Sequence, residues 1–219
     1  MVVREKFQLD LEELQHKVLE LGILANRELQ SSIEALVEKN AELALKVMEG
    51  DIKADLLYEE INDFAILLIA KQAPVAIDLR RIIVAIKIAT DLERIADFAV
   101  NIAKATIRIG KEEHLKSISF VKNMFEVTTE MLSLSLEAFH EEDIQKAGKV
   151  SDMDDKVDEL YGLTIQDLLK LNHLENDKMS QMTQLSFISR YLERAADHVT
   201  NIAEHIFYLV KGRHYDLNE

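Results

Sequence analysis

The segment from Asp91 to Ile109, DLERIADFAVNIAKATIRI, occurs twice in this chain, and its second copy is YLERAADHVTNIAEHIFYL, from Tyr191 to Leu209. Identical residues stand at eight positions at an offset of 100: Leu92, Glu93, Arg94, Ala96, Asp97, Asn101, Ile102 and Ala103 recur as Leu192, Glu193, Arg194, Ala196, Asp197, Asn201, Ile202 and Ala203. An internal repeat of this kind predicts that one structural unit is duplicated.

One flank of the repeated segment is apolar, and another carries oxygen atoms. At about 100° per residue, small or apolar side chains share one side of a helix: Leu92, Ile95, Ala96, Ala99, Ile102 and Ala103. Glu93, Asp97 and Asn101 follow one another at steps of four along a different flank. The pattern predicts an amphipathic helix whose apolar face joins a core and whose oxygen-bearing face is available for function.

The repeat extends along the chain on both sides of this segment. Ser32–Leu36 matches Ser135–Phe139 at an offset of 103, and Asn40, a good helix N-cap, matches Asp143 at the same offset. The first half reads as three helices: one from about 7 to 39, one from Asn40 to about 71, and one from Pro74 to a C-cap at Gly110. We therefore predict an all-α protein of two tandem, repeat-related three-helix bundles, residues 1–112 and 113–219.

Composition supports this fold class and excludes several functions. With 48% hydrophobic residues, 6 glycines and 1 proline among 219 residues, the chain suits long helices. A formal charge of −14 argues against nucleic-acid binding, and the absence of cysteine excludes disulfides, iron–sulfur clusters and cysteine zinc sites. The first residues lack the apolar core of a signal peptide, and the most apolar window is too short to span a bilayer. We expect a cytoplasmic protein without membrane insertion.

Four carboxylate pairs recur at a spacing of four residues: Asp51 with Asp55, Glu93 with Asp97, Asp154 with Asp158, and Glu193 with Asp197. Each pair alone is typical of a solvated helix face, yet like charges at this spacing destabilise a helix by roughly 0.2–0.5 kcal/mol. Arg94 and Arg194 are placed to relieve part of this repulsion. Packing of the second helix on the third would bring two pairs together, with the carbonyl of Asn101 or Asn201 nearby. Such oxygen donors suit magnesium, manganese or iron, whereas zinc more often takes nitrogen or sulfur.

A second interpretation rests on two Glu-x-x-His pairs, Glu13 with His16 and Glu137 with His140. This spacing occurs in ferritin-like di-iron bundles, which include oxidases and iron-storage proteins. The two pairs are not repeat-related, and such an enzyme needs its ligands to point into a bundle.

Two further groups of side chains are candidates for function. Arg80, Lys87 and Arg94 form a basic row at steps of seven, which indicates either a partner-binding face or charge balance for the acidic row. His198 and His205 lie seven apart and could supplement the second carboxylate site. No nucleotide-binding glycine loop, zinc-protease motif or nucleophile elbow is present.

With these features together, the chain resembles the PhoU family of bacterial phosphate-uptake regulators over essentially its whole length. The resemblance rests on the doubled Leu-Glu-Arg-x-x-Asp, the four carboxylate pairs and QAPVAIDLRRI from Gln72 to Ile82. It implies a cytoplasmic, non-enzymatic regulator that represses the phosphate-starvation response. The implied partners are a sensor histidine kinase and the ATPase subunit of the phosphate transporter, and a homodimer is compatible with the sequence.

The resemblance also implies what the carboxylate pairs hold. In some members of the family, these motifs bind multinuclear iron or zinc clusters on the surface. Iron or zinc is therefore expected here, manganese and magnesium also remain candidates, and we expect no metal to be essential for folding. The second half departs from the first, because it lacks a counterpart of Asp78-Leu79-Arg80 and has Tyr191 and His198 in place of Asp91 and Phe98. The two sites therefore need not bind metal equally, and the partner contacts are expected mainly on the first half.

Overall fold

The computed structural model describes residues 2–111, 113–172 and 178–217, and within these ranges it contains α-helices and no strand. The helices are α1 (Val2–Glu38), α2 (Ala41–Gln72), α3 (Ala76–Ile109), α4 (Ile118–Glu141), α5 (Ile144–Asn172) and α6 (Met179–Lys211). Helices α1–α3 pack on one another as one bundle, and α4–α6 pack as the other. The predicted all-α fold of two repeat-related three-helix bundles is confirmed.

The repeat is visible in the turn between the first two helices of each bundle. Lys39 directly follows α1 and Glu142 directly follows α4. Both residues have positive φ, at 56° and 53°. Asn40 Oδ1 accepts a hydrogen bond from the Leu43 amide, so the predicted N-cap of α2 is confirmed. Its counterpart Asp143 accepts hydrogen bonds from two amides at the start of α5. The same local chemistry therefore reverses the chain in both halves.

Helix α3 begins later than the sequence suggested. Val75 has an extended backbone with φ −95° and ψ 156°, so Pro74 lies in the connection and the helix starts at Ala76. The predicted end at Gly110 is confirmed: this residue has φ 72°, a conformation that a side chain would strain, and its amide bonds to the Thr106 carbonyl. Helix α3 thus starts two residues after the predicted position.

Helices α3 and α6 also pack against each other, so the two bundles share one continuous core. Arg80, near the start of α3, contacts Leu209, near the end of α6. Asp91, further along α3, contacts His198, which lies earlier in α6. The two helices are therefore antiparallel. Each is buried on two sides, against its own bundle and against the other helix. No helix in the described ranges is long and apolar enough to cross a membrane.

We expect residues 1–112 and residues 113–219 to fold as separate fragments, each with a cooperative helical unfolding transition. Each fragment should unfold at a lower urea concentration than the full chain, because the α3 or α6 face that packs between the bundles becomes exposed. Circular dichroism during urea titration measures both expectations. If neither fragment unfolds cooperatively, the boundary proposed between residues 112 and 113 is wrong.

Candidate metal centres

The first carboxylate cluster lies on the surface between α2 and α3. Burial raises the pKa of Asp51, and the negative charges of Asp55 and Asp97 raise it further. Burial and Asp97 likewise raise the pKa of Glu93, with smaller contributions from Asp55 and Asp51. The packing of α2 on α3 therefore brings both pairs of the first half close enough to repel one another, as the spacing predicted.

The second cluster has the same arrangement between α5 and α6. Burial raises the pKa of Asp154 to about 6, with Asp197 and Asp158 as the next causes. Burial and Asp197 also raise the pKa of Glu193 and of Asp158. The structure thus places all eight predicted acids in two clusters of four, one per bundle, each in a helix–helix groove; Asp154 is buried, and the other seven are half-buried or exposed.

Arginines relieve the repulsion in both clusters, but they are not repeat-related. Arg94 Nη1 lies 2.8 Å from Asp97 Oδ2, which is the contact that the sequence suggested, and Arg94 Nε lies 3.4 Å from Glu93. In the second cluster, it is Arg190 that donates to Glu193. Arg194 instead lies over the ring of Phe98, 5.1 Å from its centroid. Arg194 therefore lies at the α3–α6 interface, against Phe98 of the other bundle, and not on the acids of the second cluster.

Unpaired buried carboxylate oxygens lie within or beside the clusters. Within the described ranges, Glu28 Oε2 and Glu193 Oε2 are buried without a hydrogen-bond partner, which is a costly state for a carboxylate. A hard cation would satisfy these oxygens, so the donor set fits a metal ion. As the side chains stand, no three His, Asp or Glu residues in the described part of the chain converge on one metal position. Binding would therefore require the carboxylates to turn toward the ion.

Glu28 is the residue of this region that sequence reasoning missed. It lies on α1, is only 6% exposed, and has its pKa raised to about 7 by burial, then by Asp51 and Asp55. A signal for it was available in the sequence, because position 28 falls seven residues after Leu21 on the apolar stripe of α1. An acid at a core position of an amphipathic helix indicates either a paired charge or a site.

The two asparagines are placed differently. Asn101 is half-buried on α3, whereas Asn201 Nδ2 lies 3.4 Å from Asp91 Oδ1 and so faces the other bundle. Their role as metal ligands stays a prediction for both. For Asn201, a turn of the side chain away from Asp91 would be required.

The predicted histidine pair meets an acid of the other half. His198 Nδ1 lies 2.8 Å from Asp91 Oδ1, and His205 Nε2 lies 3.2 Å from Asp91 Oδ2. Burial alone would raise the pKa of Asp91, but the hydrogen bonds from His198 and His205 outweigh it and hold the pKa below its ordinary value. These histidines therefore join α6 to α3, and the idea that they supplement the second carboxylate site is not supported by where they lie.

The four residues that broke the repeat form complementary contacts across α3 and α6. Asp91 meets His198, and at the equivalent crossing Phe98 stacks on Tyr191 with ring centroids 6.1 Å apart. The helices are antiparallel and repeat-related by an offset of 100. The Asp91–His198 contact and the Tyr191–Phe98 contact therefore occupy equivalent places, with the roles of the two helices exchanged. The first contact is polar and the second is aromatic. Each residue that departs from the repeat thus contacts another residue that departs from it.

The basic row does not form one open surface. Arg80 Nη1 donates to the Leu209 carbonyl at 3.2 Å, near the end of α6, and its guanidinium lies 5.5 Å from the centroid of the Tyr208 ring. Arg94 is bound to the acids of the first cluster, and Lys87 is half-buried on α3. Arg80 and Arg94 thus have intramolecular roles, and their partner-binding role stays a prediction.

The Glu-x-x-His pairs lie on the outside of the bundles. Glu13, His16, Glu137 and His140 are all exposed, and Glu137 forms an ion pair with Lys146 at 3.1 Å. A di-iron bundle enzyme needs these groups to point inward around a shared metal. The ferritin-like interpretation is therefore wrong for these pairs.

Comparison with known proteins agrees with the duplicated architecture. The family model described as the PhoU domain matches residues 18–106 and again residues 121–206. The chain belongs to the PhoU family. Each match covers one bundle, and the two matches lie on either side of the predicted boundary at residue 112.

Relatives and solved structures of the PhoU family match nearly the whole chain. A phosphate-specific transport system accessory protein PhoU homolog of Clostridium acetobutylicum is 38% identical over 219 residues, 100% of both chains. The phosphate-specific transport system accessory protein PhoU of Escherichia coli K12 is 30% identical over 210 residues, 96% of this chain and 87% of the relative. The crystal structure of PhoU from Pseudomonas aeruginosa has a TM-score of 0.91 at 29% identity and covers 94% of this chain and 100% of that one. The phosphate transport system regulatory protein PhoU from Streptococcus pneumoniae has a TM-score of 0.89 at 28% identity, with 96% and 99% covered.

Proposed function

We propose that this protein is a non-enzymatic regulator of phosphate uptake that represses the phosphate-starvation response when phosphate is plentiful. The observation that carries this proposal is the full-length match, at 38% identity, to a relative whose name places it as an accessory of phosphate-specific transport. The placement of the carboxylate clusters on the outside of the bundles also supports it. An adaptor needs its functional groups at the surface, whereas a bundle enzyme needs them inside.

The proposed partners are a sensor histidine kinase and the ATPase subunit of the phosphate ABC transporter, both reached from the cytoplasm. This proposal comes from the family resemblance, and the sequence QAPVAIDLRRI supports a contact on the first half, since the second half has no counterpart of its Asp78-Leu79-Arg80. Arg80, Lys87 and the exposed side of Arg94 are the proposed basic contacts. A homodimer is a further proposal that a measured mass in solution would test.

The two carboxylate clusters are proposed metal sites for iron, zinc, manganese or magnesium. Asp51, Asp55, Glu93 and Asp97 would hold the ion in the first bundle, and Asp154, Asp158, Glu193 and Asp197 would hold it in the second. A bound cation would neutralise the repulsion between the carboxylates of each cluster. These residues hold and orient the ion; folding does not depend on it, because the core of each bundle is apolar.

Deletion of the gene should raise expression from a phosphate-starvation promoter several-fold in phosphate-rich medium, because repression is lost. A fluorescent reporter under that promoter measures the effect, and the wild-type gene on a plasmid should restore repression. The matched control is the same plasmid with an early stop codon, which should not restore it. Unchanged reporter output in the deletion strain would overturn the proposed function.

The partners are tested separately. The tagged full-length protein should retain the transporter ATPase and the sensor kinase from extracts of phosphate-replete cells. Capture of neither, together with a positive reporter result, would leave the regulatory role standing and overturn the proposed contacts.

A further inference from the structure

Glu28 lies in a position that is costly for a carboxylate. It belongs to α1, the helix of the first bundle that carries none of the repeated acidic motifs, and it is only 6% exposed. Within the described ranges, its Oε2 atom is buried and has no hydrogen-bond partner. A buried carboxylate oxygen without a partner loses its hydration and no hydrogen bond replaces it, so native proteins rarely keep one without a function.

The Glu28 carboxylate faces the first acidic cluster. A Cβ atom added to Gly50 would lie 3.1 Å from Glu28 Oε1, so the carboxylate lies against the backbone of α2 immediately before Asp51. Asp51 and Asp55 are also the acids whose charges act on it most strongly. The missing side chain at residue 50 thus makes room for an acid from α1 beside the acids of α2 and α3.

The second bundle has an apolar pair at the same two places. At the offset of 103, Glu28 corresponds to Met131, and Gly50 corresponds to Met153. The register is secure because Ser32 and its counterpart Ser135 each donate to the carbonyl three residues earlier, at 2.7 and 2.8 Å. Met131 is completely buried. One bundle therefore has an acid beside a glycine, and the other fills the same region with two methionines.

This paired difference argues against a purely structural role for Glu28. The second bundle shows that an apolar side chain packs at this position of the fold without desolvating a carboxylate. Keeping an acid here, together with the glycine that accommodates it, is explained when the acid has a ligand to bind. The available ligand is a cation shared with the neighbouring carboxylates.

We propose that Glu28 is a metal ligand of the first cluster, contributed by α1, which makes that cluster a five-carboxylate site and the second cluster a four-carboxylate site. This inference rests on the metal binding proposed above and deepens it. An additional anionic oxygen ligand favours hard cations such as manganese(II) and should make the first site the tighter of the two.

The test isolates the first site. In the parent variant, Glu193→Gln and Asp197→Asn remove the second site, and calorimetry with manganese(II) alone, with the free ion counted by electron paramagnetic resonance, measures the remaining affinity. Adding Glu28→Gln should weaken manganese binding roughly 10- to 100-fold. The matched control is Glu34→Gln, which removes one exposed acid from the same helix and should leave the affinity within about twofold.

Folding is checked on the same samples. Glu28→Gln removes a buried charge, so the metal-free variant should melt no lower than its parent at pH 7.5. In the converse background, Glu93→Gln with Asp97→Asn, the Glu28→Gln change should not alter manganese binding at the second site. If Glu28→Gln weakens manganese binding slightly, and to the same extent at both sites, the effect is a general one and the assignment of Glu28 is wrong.

The two proposals fail in different ways. If the parent binds manganese(II) and Glu28→Gln binds it equally well, the Glu28 inference is wrong and the metal sites stand. If the parent and the wild type bind neither manganese(II) nor zinc(II), both proposals are wrong.

Discussion

Asp91→Ala should destabilise the protein by roughly 3 kcal/mol, because it breaks a buried hydrogen-bond cluster around a carboxylate that joins the two bundles. Asp91 is 7% exposed and accepts from His198 and His205 of α6, with Asn201 nearby. Without the carboxylate, both imidazoles lose their partner at a helix–helix interface. Urea unfolding at pH 7.5 measures the loss, which corresponds to a fall in melting temperature of about 10 °C.

Two control variants separate this effect from a general loss of charge. Asp91→Asn keeps the size of the side chain and one acceptor, so its loss should be smaller, about 1 kcal/mol. Asp63→Ala removes an exposed acid from α2 and should stay within about 0.5 kcal/mol of the wild type. If Asp91→Ala is as stable as Asp63→Ala, the cluster does not hold the bundles together.

The Asp91 effect also has a defined pH dependence. The pKa of Asp91 is lower in the folded chain than in the unfolded chain, so its contribution is fully present above the unfolded pKa of about 3.9. It is lost as the pH falls through the folded pKa. The difference in stability between the wild type and Asp91→Asn should therefore narrow below about pH 4.

The metal-free protein should lose stability as the pH rises from about 4.5 to about 7, which is the opposite of the Asp91 effect. Burial and mutual repulsion raise the pKa of Glu28 to about 7 and that of Asp154 to about 6. In this window the folded state binds more protons than the unfolded state, so the free energy of unfolding falls with rising pH. For Glu28 alone the loss amounts to at most roughly 3 kcal/mol. Urea unfolding of chelator-treated protein at pH 5 and pH 7.5 measures it.

Metal should reverse this loss at pH 7.5, with a melting temperature that rises with metal concentration. Glu93→Gln with Asp97→Asn should abolish the contribution of the first site and slightly raise the metal-free stability, since repulsion is removed. Glu193→Gln with Asp197→Asn tests the second site in the same way. The matched control, Glu34→Gln with Asp63→Asn, removes two exposed acids and should leave the response to metal unchanged.

One result would contradict the metal proposal directly. If the wild type and both cluster variants melt at the same temperature with and without manganese, iron or zinc, the acids are only solvated faces. A flat stability between pH 5 and pH 7.5 without metal would further show that burial and repulsion do not raise the pKa of Glu28 and Asp154 in the folded protein.

The helices and the four repeated acids of each cluster could be predicted from the sequence. The spacing of the carboxylate pairs places them on one face of each helix, and the repeat duplicates that face, so local geometry was sufficient. The caps at Asn40 and Gly110 were predictable for the same reason, since a cap depends on a few neighbouring residues. Pro74 was the exception, because the extended Val75 delays the start of α3.

The sequence by itself therefore determined the features that depend on local spacing, which are the helices and the acids of α2, α3, α5 and α6. It also determined the duplication, which is visible when the chain is compared with itself. What only the tertiary structure decided was which helix faces meet. The approach of Glu28 to the first cluster and of Asp91 to His198 joins residues on different helices, and the latter pair belongs to different halves of the chain. Helix periodicity gives the direction of a side chain around its own axis, but the side chain that it meets depends on how the packed helices are rotated against each other.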